Sequence, residues 1–282
     1  MFFFTVGHGS RAQDAIMSIF TCIAICLFVI AFAVQDWGAP PGPSTIGPHD
    51  STWGTWLTCY VKFVELSLMA WAAPGQGFPK TMLFVGLLLN GIVYLIAGVM
   101  FQFYPEAGPQ HSVLWAAWCM CQIAAGSFCV FAGYSFVRLQ GKLQSKPSPE
   151  VVGIVLLVWT ALTEMLGLFF VLRKVPVLIS LVSTVNATLT LLALAVLGCV
   201  GGAREWSVGA LVAFLVAGVL QFVPVAMLKS SQSFNNDGLA HNQMILYYVS
   251  FFGLLCQLQQ GDFKQLAGAS CEPALVRASI GP

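Results

Sequence analysis

The chain has 282 residues, of which 58% are hydrophobic and only 8% charged, with a formal net charge of +1. Soluble domains carry roughly a quarter charged residues, so this composition excludes a soluble globular protein. Its 12 basic residues are nowhere interleaved with aromatics, which excludes a nucleic-acid surface, and its nine cysteines, mostly inside apolar runs and odd in number, argue against a complete disulfide framework.

A helix needs about 20 apolar residues to cross a ~30 Å hydrocarbon layer. The first run that qualifies lies near 15–34. Ala31-Phe32-Ala33 mimics a signal-peptidase site, but the run is longer than the core of a usual signal peptide, and it is read as a span. Residues 35–52 follow, crowded with Gly38, Pro40, Pro41, Gly42, Pro43, Gly47 and Pro48, and read as a loop. The stretch 52–73 is long enough to cross but carries Lys62 and Glu65 near its middle. Each charge costs about 2.5–3.5 kcal/mol at the centre of a span. Spaced three apart, the two can share a helix face and pair. Trp53, Trp56 and Trp71 lie near the two ends, where interfacial aromatics belong. The reading is a spanning helix with its charges turned inward; the alternative is an amphipathic helix lying on the membrane surface.

Six more apolar runs follow, near 81–103, 112–137, 151–172, 177–200, 206–228 and 242–258. In the second of these, Ala117, Cys121, Ala125, Cys129 and Gly133 recur every four residues. Helices in lipid associate through close backbone approach, so this stripe predicts a central helix packed along its small residues. Glu164 stands about two-thirds along the run 151–172, one turn after Thr160 and directly after Thr163. An ionisable group at that depth faces the bundle interior or a wet cavity. It reads either as a proton-coupled or ligand-binding carboxylate, with Lys62 as a candidate partner, or as an interhelical hydrogen bond. The run 177–200 carries two polar rows, Ser183, Asn186, Thr190 and Ser180, Thr184, Thr188, which suit a cavity lining or a structural seam equally. Asn186-Ala187-Thr188 matches a glycosylation sequon but lies mid-span. Gly209, Ala213 and Ala217 form a shorter small stripe, and Pro224 is placed to kink its helix.

The fold expected is all-α: a polytopic transmembrane helix bundle of eight spans, or seven plus one interfacial helix. It forms a single domain over 1–260 with a cytoplasmic tail over 261–282. With eight spans, Arg11, Lys80, Arg138, Lys142, Lys146, Arg204, Lys264 and Arg277 fall on the N-terminal side, against Arg173, Lys174 and Lys229 on the other. The positive-inside rule then places both termini in the cytoplasm. If 52–73 does not cross, the N-terminus moves outside, while the loops 138–150 and 201–205 and the C-terminal tail stay cytoplasmic.

The last run is entered through QSFNNDGLAHNQMILYY, where Asn235, Asn236 and Asp237 precede His241. Asp237 suits a helix start, capping free N–H groups and meeting the positive end of the helix dipole. Four residues apart, Asp237 and His241 also suit a carboxylate–imidazole pair at a cavity mouth. No two of His8, His49, His111 and His241 are spaced as metal ligands on one helix, so no metal and no cofactor is expected. The pattern of Phe234, Asn235 and His241 resembles the last helix of the alkaline ceramidase and progestin/adiponectin-receptor superfamily. Those are seven-helix membrane hydrolases whose zinc is held by three histidines, with a serine and an aspartate. The second terminal histidine is replaced here, Asp237 standing four residues before His241, and Gln102 stands where a ligand would be sought. The resemblance therefore implies a metal-free relative. Walker A, G-x-S-x-G and H-E-x-x-H motifs are absent, as is a lysine within 242–258 of the kind a retinal protein needs.

The leading functional expectation is the binding or transport of a small or lipid-like molecule within the bundle, by Glu65, Glu164, Asn186, Asp237 and His241. The alternatives are a structural subunit of a membrane complex and a degenerate lipid-hydrolase-like protein. The expected partners are membrane lipids, such a ligand, and a membrane-protein partner or second copy of the chain. If Asp237 acts first as a cap, Asp237→Ala lowers thermal stability in detergent by about 0.5–2 kcal/mol, whereas Asp237→Asn, which keeps the capping geometry, is mild. Equal loss of a binding or transport activity in both variants, with stability intact, would show that the charge itself is functional.

Overall fold

The computed structural model describes residues 11–33, 53–104, 108–173, 176–202, 244–256 and 258–259. Every regular element among them is helical. In chain order they are α1 (Arg11–Ala33), α2 (Trp53–Trp71), α3 (Gly77–Phe103), α4 (Pro109–Leu139), α5 (Pro149–Leu172), α6 (Pro176–Gly202) and α7 (Met244–Cys256). Among the described residues five helices are long and apolar enough to cross a membrane, within α1, α3, α4, α5 and α6. The expected run 206–228 lies outside the described residues, and the described part of α7 is an apolar helix shorter than 18 residues. Of the eight expected spans, five thus qualify on length and composition among the described residues.

Local chemistry sets the helix ends. Pro109 and Pro149 open α4 and α5, where a missing N–H costs nothing and the fixed φ suits the first turn. The Ser148 hydroxyl accepts from the Val151 N–H and caps α5. Between α2 and α3 the chain reverses through Gly75 at φ +91°, and a Cβ there would lie 2.7 Å from the Phe136 ring. Both the left-handed backbone and the lack of space call for glycine.

The direction of each helix follows from which residues meet. Gln13 Nε2 donates to the Ala72 carbonyl at 2.9 Å, tying the start of α1 to the end of α2. Gly98 packs on Tyr60, and Gly91 on Phe63 and Leu66, so α2 and α3 run antiparallel along their length. Gly86 meets Ala125, Phe128 and Cys129, making α3 and α4 antiparallel too. Thr160 bonds Ser127 and Tyr134 bonds the Pro147 carbonyl, which sets α5 antiparallel to α4. Ser183 meets Gln122 and Leu194 meets Gly133, so α6 runs parallel to α4. The Gln140 amide donates to the Leu258 carbonyl, fixing the end of α7 beside the end of α4. The starts of α1, α3 and α5 and the ends of α2, α4, α6 and α7 thus share one end of the bundle. Arg11, Lys80, Arg138, Lys142 and Lys146 all lie at that end.

Burial orders the helices. In α1 only the face carrying Ile16, Met17, Phe20 and Ala24 is buried, while Ile19, Ile25 and Val29 are exposed, so α1 is peripheral. Half of the most apolar window of α3 is buried, against 11% of that of α5. Helix α4 touches α3, α5 and α6, the central place its small residues predicted. Its stripe is nonetheless divided rather than continuous. Ala125 and Cys129 are buried against Gly86 of α3, Gly133 faces Leu194 of α6, and Ala117 and Cys121 are only half-buried. The tightest contact belongs to Gly126, off the stripe, where a Cβ would lie 2.5 Å from Thr190 Oγ1 of α6. Gly126→Ala is expected to lower the melting temperature in detergent, at a cost of about 1–3 kcal/mol from overpacking. Gly167→Ala, with nothing within 4 Å of the new methyl, serves as the control and gains up to about 1 kcal/mol of helix propensity. Equal effects at the two sites would show that Gly126 is not a packing constraint.

Candidate functional site

Among the described residues, two groups of polar side chains inside the bundle link neighbouring helices. The first joins α4, α5 and α6. The Trp159 indole N–H donates to Asn186 Oδ1 at 2.8 Å, and Asn186 Nδ2 donates to the Ile123 carbonyl at 3.3 Å. Ser183 Oγ lies 2.6 Å from Gln122 Oε1, and Thr160 Oγ1 2.6 Å from Ser127 Oγ. Thr163 bonds back to the Trp159 carbonyl at 2.8 Å, the self-satisfying pattern of hydroxyls inside helices. Asn186 and Ser183 are buried with their hydrogen bonds made between helices. Glu164 is half-buried at the edge of this group, near Cys121.

The second group lies between α2, α3 and α7, and every side chain in it is buried or nearly so. Lys62 and Glu65 both have 0% of their surface exposed, so the charges of α2 do turn inward. The Lys62 ammonium sits 3.8 Å from the centroid of the Tyr94 ring and 3.7 Å from Met244 Sδ. An ammonium over an aromatic face gains a cation–π attraction that grows as water is removed. The Tyr94 hydroxyl lies 3.0 Å from the Tyr248 hydroxyl and 3.5 Å from Met244 Sδ. The two rings meet edge-on, with centroids 5.6 Å apart. Glu65 lies close enough to Lys62, Tyr94 and Tyr248 to interact with each electrostatically. Yet neither of its carboxyl oxygens has a hydrogen-bond partner.

The expected pairing of Lys62 with Glu65 is therefore not closed by a hydrogen bond. Helical side chains lean toward the N-terminus, so a lysine three residues before a glutamate points away from it. The reverse order, with the acid first, is the favourable one. Lys62 reaches Tyr94 and Met244 instead. It also does not partner Glu164, because neither α5 nor α6 packs against α2.

Of the residues singled out from sequence, Glu65 stands in the second group, Asn186 in the first and Glu164 at the edge of the first, so no single site holds them together. Asp237 and His241 lie outside the described residues. Tyr94, Tyr248, Met244 and Trp159 were not singled out. The signal available was a tyrosine or tryptophan in mid-run, whose polar tip needs a partner once buried. Among the described residues no three of histidine, cysteine, aspartate or glutamate gather so as to hold a metal ion. No protein-family model matches the chain, and neither a curated protein nor a solved structure matches it.

The two groups predict opposite responses to apolar substitution. Asn186→Leu leaves the Trp159 N–H and its own helix contacts unsatisfied and is expected to cost about 1–3 kcal/mol. The double variant Lys62→Met/Glu65→Met replaces buried charge by side chains of similar volume and is expected to be neutral or stabilising by about 1–4 kcal/mol. Thermal unfolding in detergent distinguishes them, and a double variant less stable than Asn186→Leu would make the second group architecture as well.

Proposed function

We propose that this chain is a multi-pass membrane protein that binds a small cation within the bundle and moves it across the bilayer, with Glu65 as the acceptor. The single observation that carries the reading is the Glu65 carboxyl, fully buried with both oxygens unpartnered. A buried polar atom without a partner is costly and uncommon in native structures, and ionisable groups at membrane depth concentrate on substrate and ion pathways. The neighbouring chemistry suits a cation that donates hydrogen bonds. A carboxylate supplies the acceptor, the Tyr94 face already accommodates one ammonium, and the Met244 sulfur adds a polarizable wall. Lys62 already occupies that aromatic face. In this reading α2 and α7 cross the membrane with the other helices, in the eight-span arrangement. The end carrying Arg11, Lys80, Arg138, Lys142 and Lys146 faces the cytoplasm, as the positive-inside rule requires.

A structural role in a membrane assembly is the second reading, favoured by the outer face of α5. Leu157, Met165 and Leu172 are 69%, 67% and 75% exposed there, a surface that suits lipid or another helix equally. The lipid-hydrolase reading rests on Phe234, Asn235, Asp237 and His241, all outside the described residues.

Guanidinium is a suitable probe, because it is permanently charged, donates hydrogen bonds and does not cross bilayers unaided. Uptake of radiolabelled guanidinium into proteoliposomes is expected to exceed that of protein-free liposomes, and Glu65→Gln is expected to abolish the excess while leaving thermal stability unchanged. Uptake equal in the variant and the native protein, or no uptake and no thermal shift by guanidinium or methylguanidinium, sinks the proposal. In that event, disulfide capture of Leu157→Cys between copies tests the structural reading.

A further inference from the structure

A second place in the molecule combines space with unused polar groups. At the end of the bundle shared by the starts of α3 and α5 and the end of α4, a groove of about 450 Å³ opens outward. Its apolar wall is built by Phe78, Phe131 and Leu139. Phe78 and Phe131 meet edge-on, with ring centroids 5.6 Å apart. Phe78 and Leu139 remain 62% and 60% exposed, so the wall continues outward past the groove. Its polar wall is built by Arg138 and Gln144.

Arg138 is fixed in place by one edge of its guanidinium. Nη1 donates to the carbonyls of Leu143, Lys146 and Pro147 at 3.1, 2.7 and 2.6 Å. No described residue accepts from its other nitrogens. The fork is thus held still, with Nε and Nη2 left to serve a second acceptor, and two parallel donors on a planar fork match a phosphate. Holding the side chain in advance removes much of the ordering cost that a flexible arginine brings to binding.

The surrounding charge has the same sense. Lys80 follows Pro79 at the start of α3, and Lys142 and Lys146 lie on the loop that Arg138 organises. The acidic group within electrostatic reach of Arg138 is Glu150, which is fully exposed. Four basic residues against one carboxylate favour an anion. The exposed apolar wall beside them favours one attached to hydrocarbon. A soluble phosphate has no use for Phe78 and Leu139, and a choline headgroup brings a cation next to Arg138. Basic pockets between helices at the cytoplasmic face take anionic lipid headgroups for this reason.

We infer that the α3–α4–α5 groove binds an anionic phospholipid, its phosphate on the free edge of Arg138 and its acyl chain along Phe78 and Leu139. The inference does not depend on the transport reading, since the groove and Glu65 share no residue. Native mass spectrometry of the detergent-purified protein, titrated with phosphatidylglycerol and phosphatidylcholine, reads it directly. Preferential retention of phosphatidylglycerol is expected. Arg138→Gln should reduce that preference about fivefold, the effect of one basic residue at a membrane surface. Because Arg138 also holds its loop, Gln144→Glu supplies the second variant. It adds a negative charge to the groove, leaves the Arg138 hydrogen bonds in place, and should reduce the preference by a similar factor. Arg173→Gln, at the opposite end of the bundle, should leave it unchanged. Equal retention of the two lipids by the native protein overturns the inference, as does phosphatidylglycerol preference unaltered in Gln144→Glu. Displacement of the lipid by an equal concentration of glycerol 3-phosphate overturns it too, by making the site one for a free phosphate.

Discussion

Two charges on α2 cannot face hydrocarbon, and the arrangement of the described helices answers to that constraint. On a spanning α2, Lys62 and Glu65, at mid-helix, would be too far from either end to reach water by extending along the helix surface, as lysines near span termini do. The remaining solution is enclosure, and α2 is enclosed by α1, α3 and α7. Burial consequently runs opposite to the order found in water. Helix α2, whose charges keep it outside the set qualifying as apolar spans, hides both charged side chains completely, while α5, with a mean hydropathy of 2.2 in its best window, buries only 11% of that window. Where the surroundings are as apolar as leucine, burying leucine gains little, and the polar groups decide which surfaces turn inward.

That logic explains what was legible in the sequence. An apolar run must be helical in a membrane, because only a helix satisfies its own backbone there. The runs 81–103, 112–137, 151–172 and 177–200 accordingly reappear as α3 to α6, lengthened by a few residues where Pro109 and Pro149 start helices that hydropathy does not mark. The inward direction of Lys62 and Glu65 was legible for the same reason, since the cost of exposing them does not depend on what surrounds them. Their partners were not legible. Tyr94 and Tyr248 are 154 residues apart, and nothing local to either names the other. Asn186 was singled out as polar, but its meeting with Trp159 depends on how α5 and α6 pack. Gly126 shows the limit of pattern reading most clearly: the four-residue stripe beside it marks a helix with neighbours on several sides, whereas the position of closest approach is set by the rotation of α6.

The two internal polar groups differ in how completely their polar atoms are paired. Between α4, α5 and α6 the hydrogen bonds of Trp159, Asn186, Ser183 and Thr160 join neighbouring helices, so the group fixes the relative rotation of three helices. Its energy is that of ordinary interhelical hydrogen bonds in membranes, of order 1 kcal/mol each. Between α2, α3 and α7 the hydroxyl pair of Tyr94 and Tyr248 is satisfied, the ammonium of Lys62 has an aromatic face and a sulfur, and the carboxyl of Glu65 has two oxygens and no donor.

If a ligand reaches Glu65, one of the seams around it must open, and the seams are not alike. Along α2 and α3 the backbones approach at Gly91 and Gly98, where Phe63, Leu66 and Tyr60 fill the space a side chain would take. Separating them forfeits close packing over the length of both helices. Between α3 and α7 the described contacts at this level include the Tyr94–Tyr248 hydroxyl and ring pair and the approach of the Tyr94 hydroxyl to the Met244 sulfur, which Lys62 of α2 also meets. Methionine repacks with little penalty, having three rotatable bonds and a polarizable end. The far end of α7 is held beside α4, through the Gln140 bond to the Leu258 carbonyl and the packing of Gln259 near Gly75. In the proposed transport reading, the Met244 side of α7, which packs on Lys62 and Tyr94, is where Glu65 would be uncovered at the least cost in repacking.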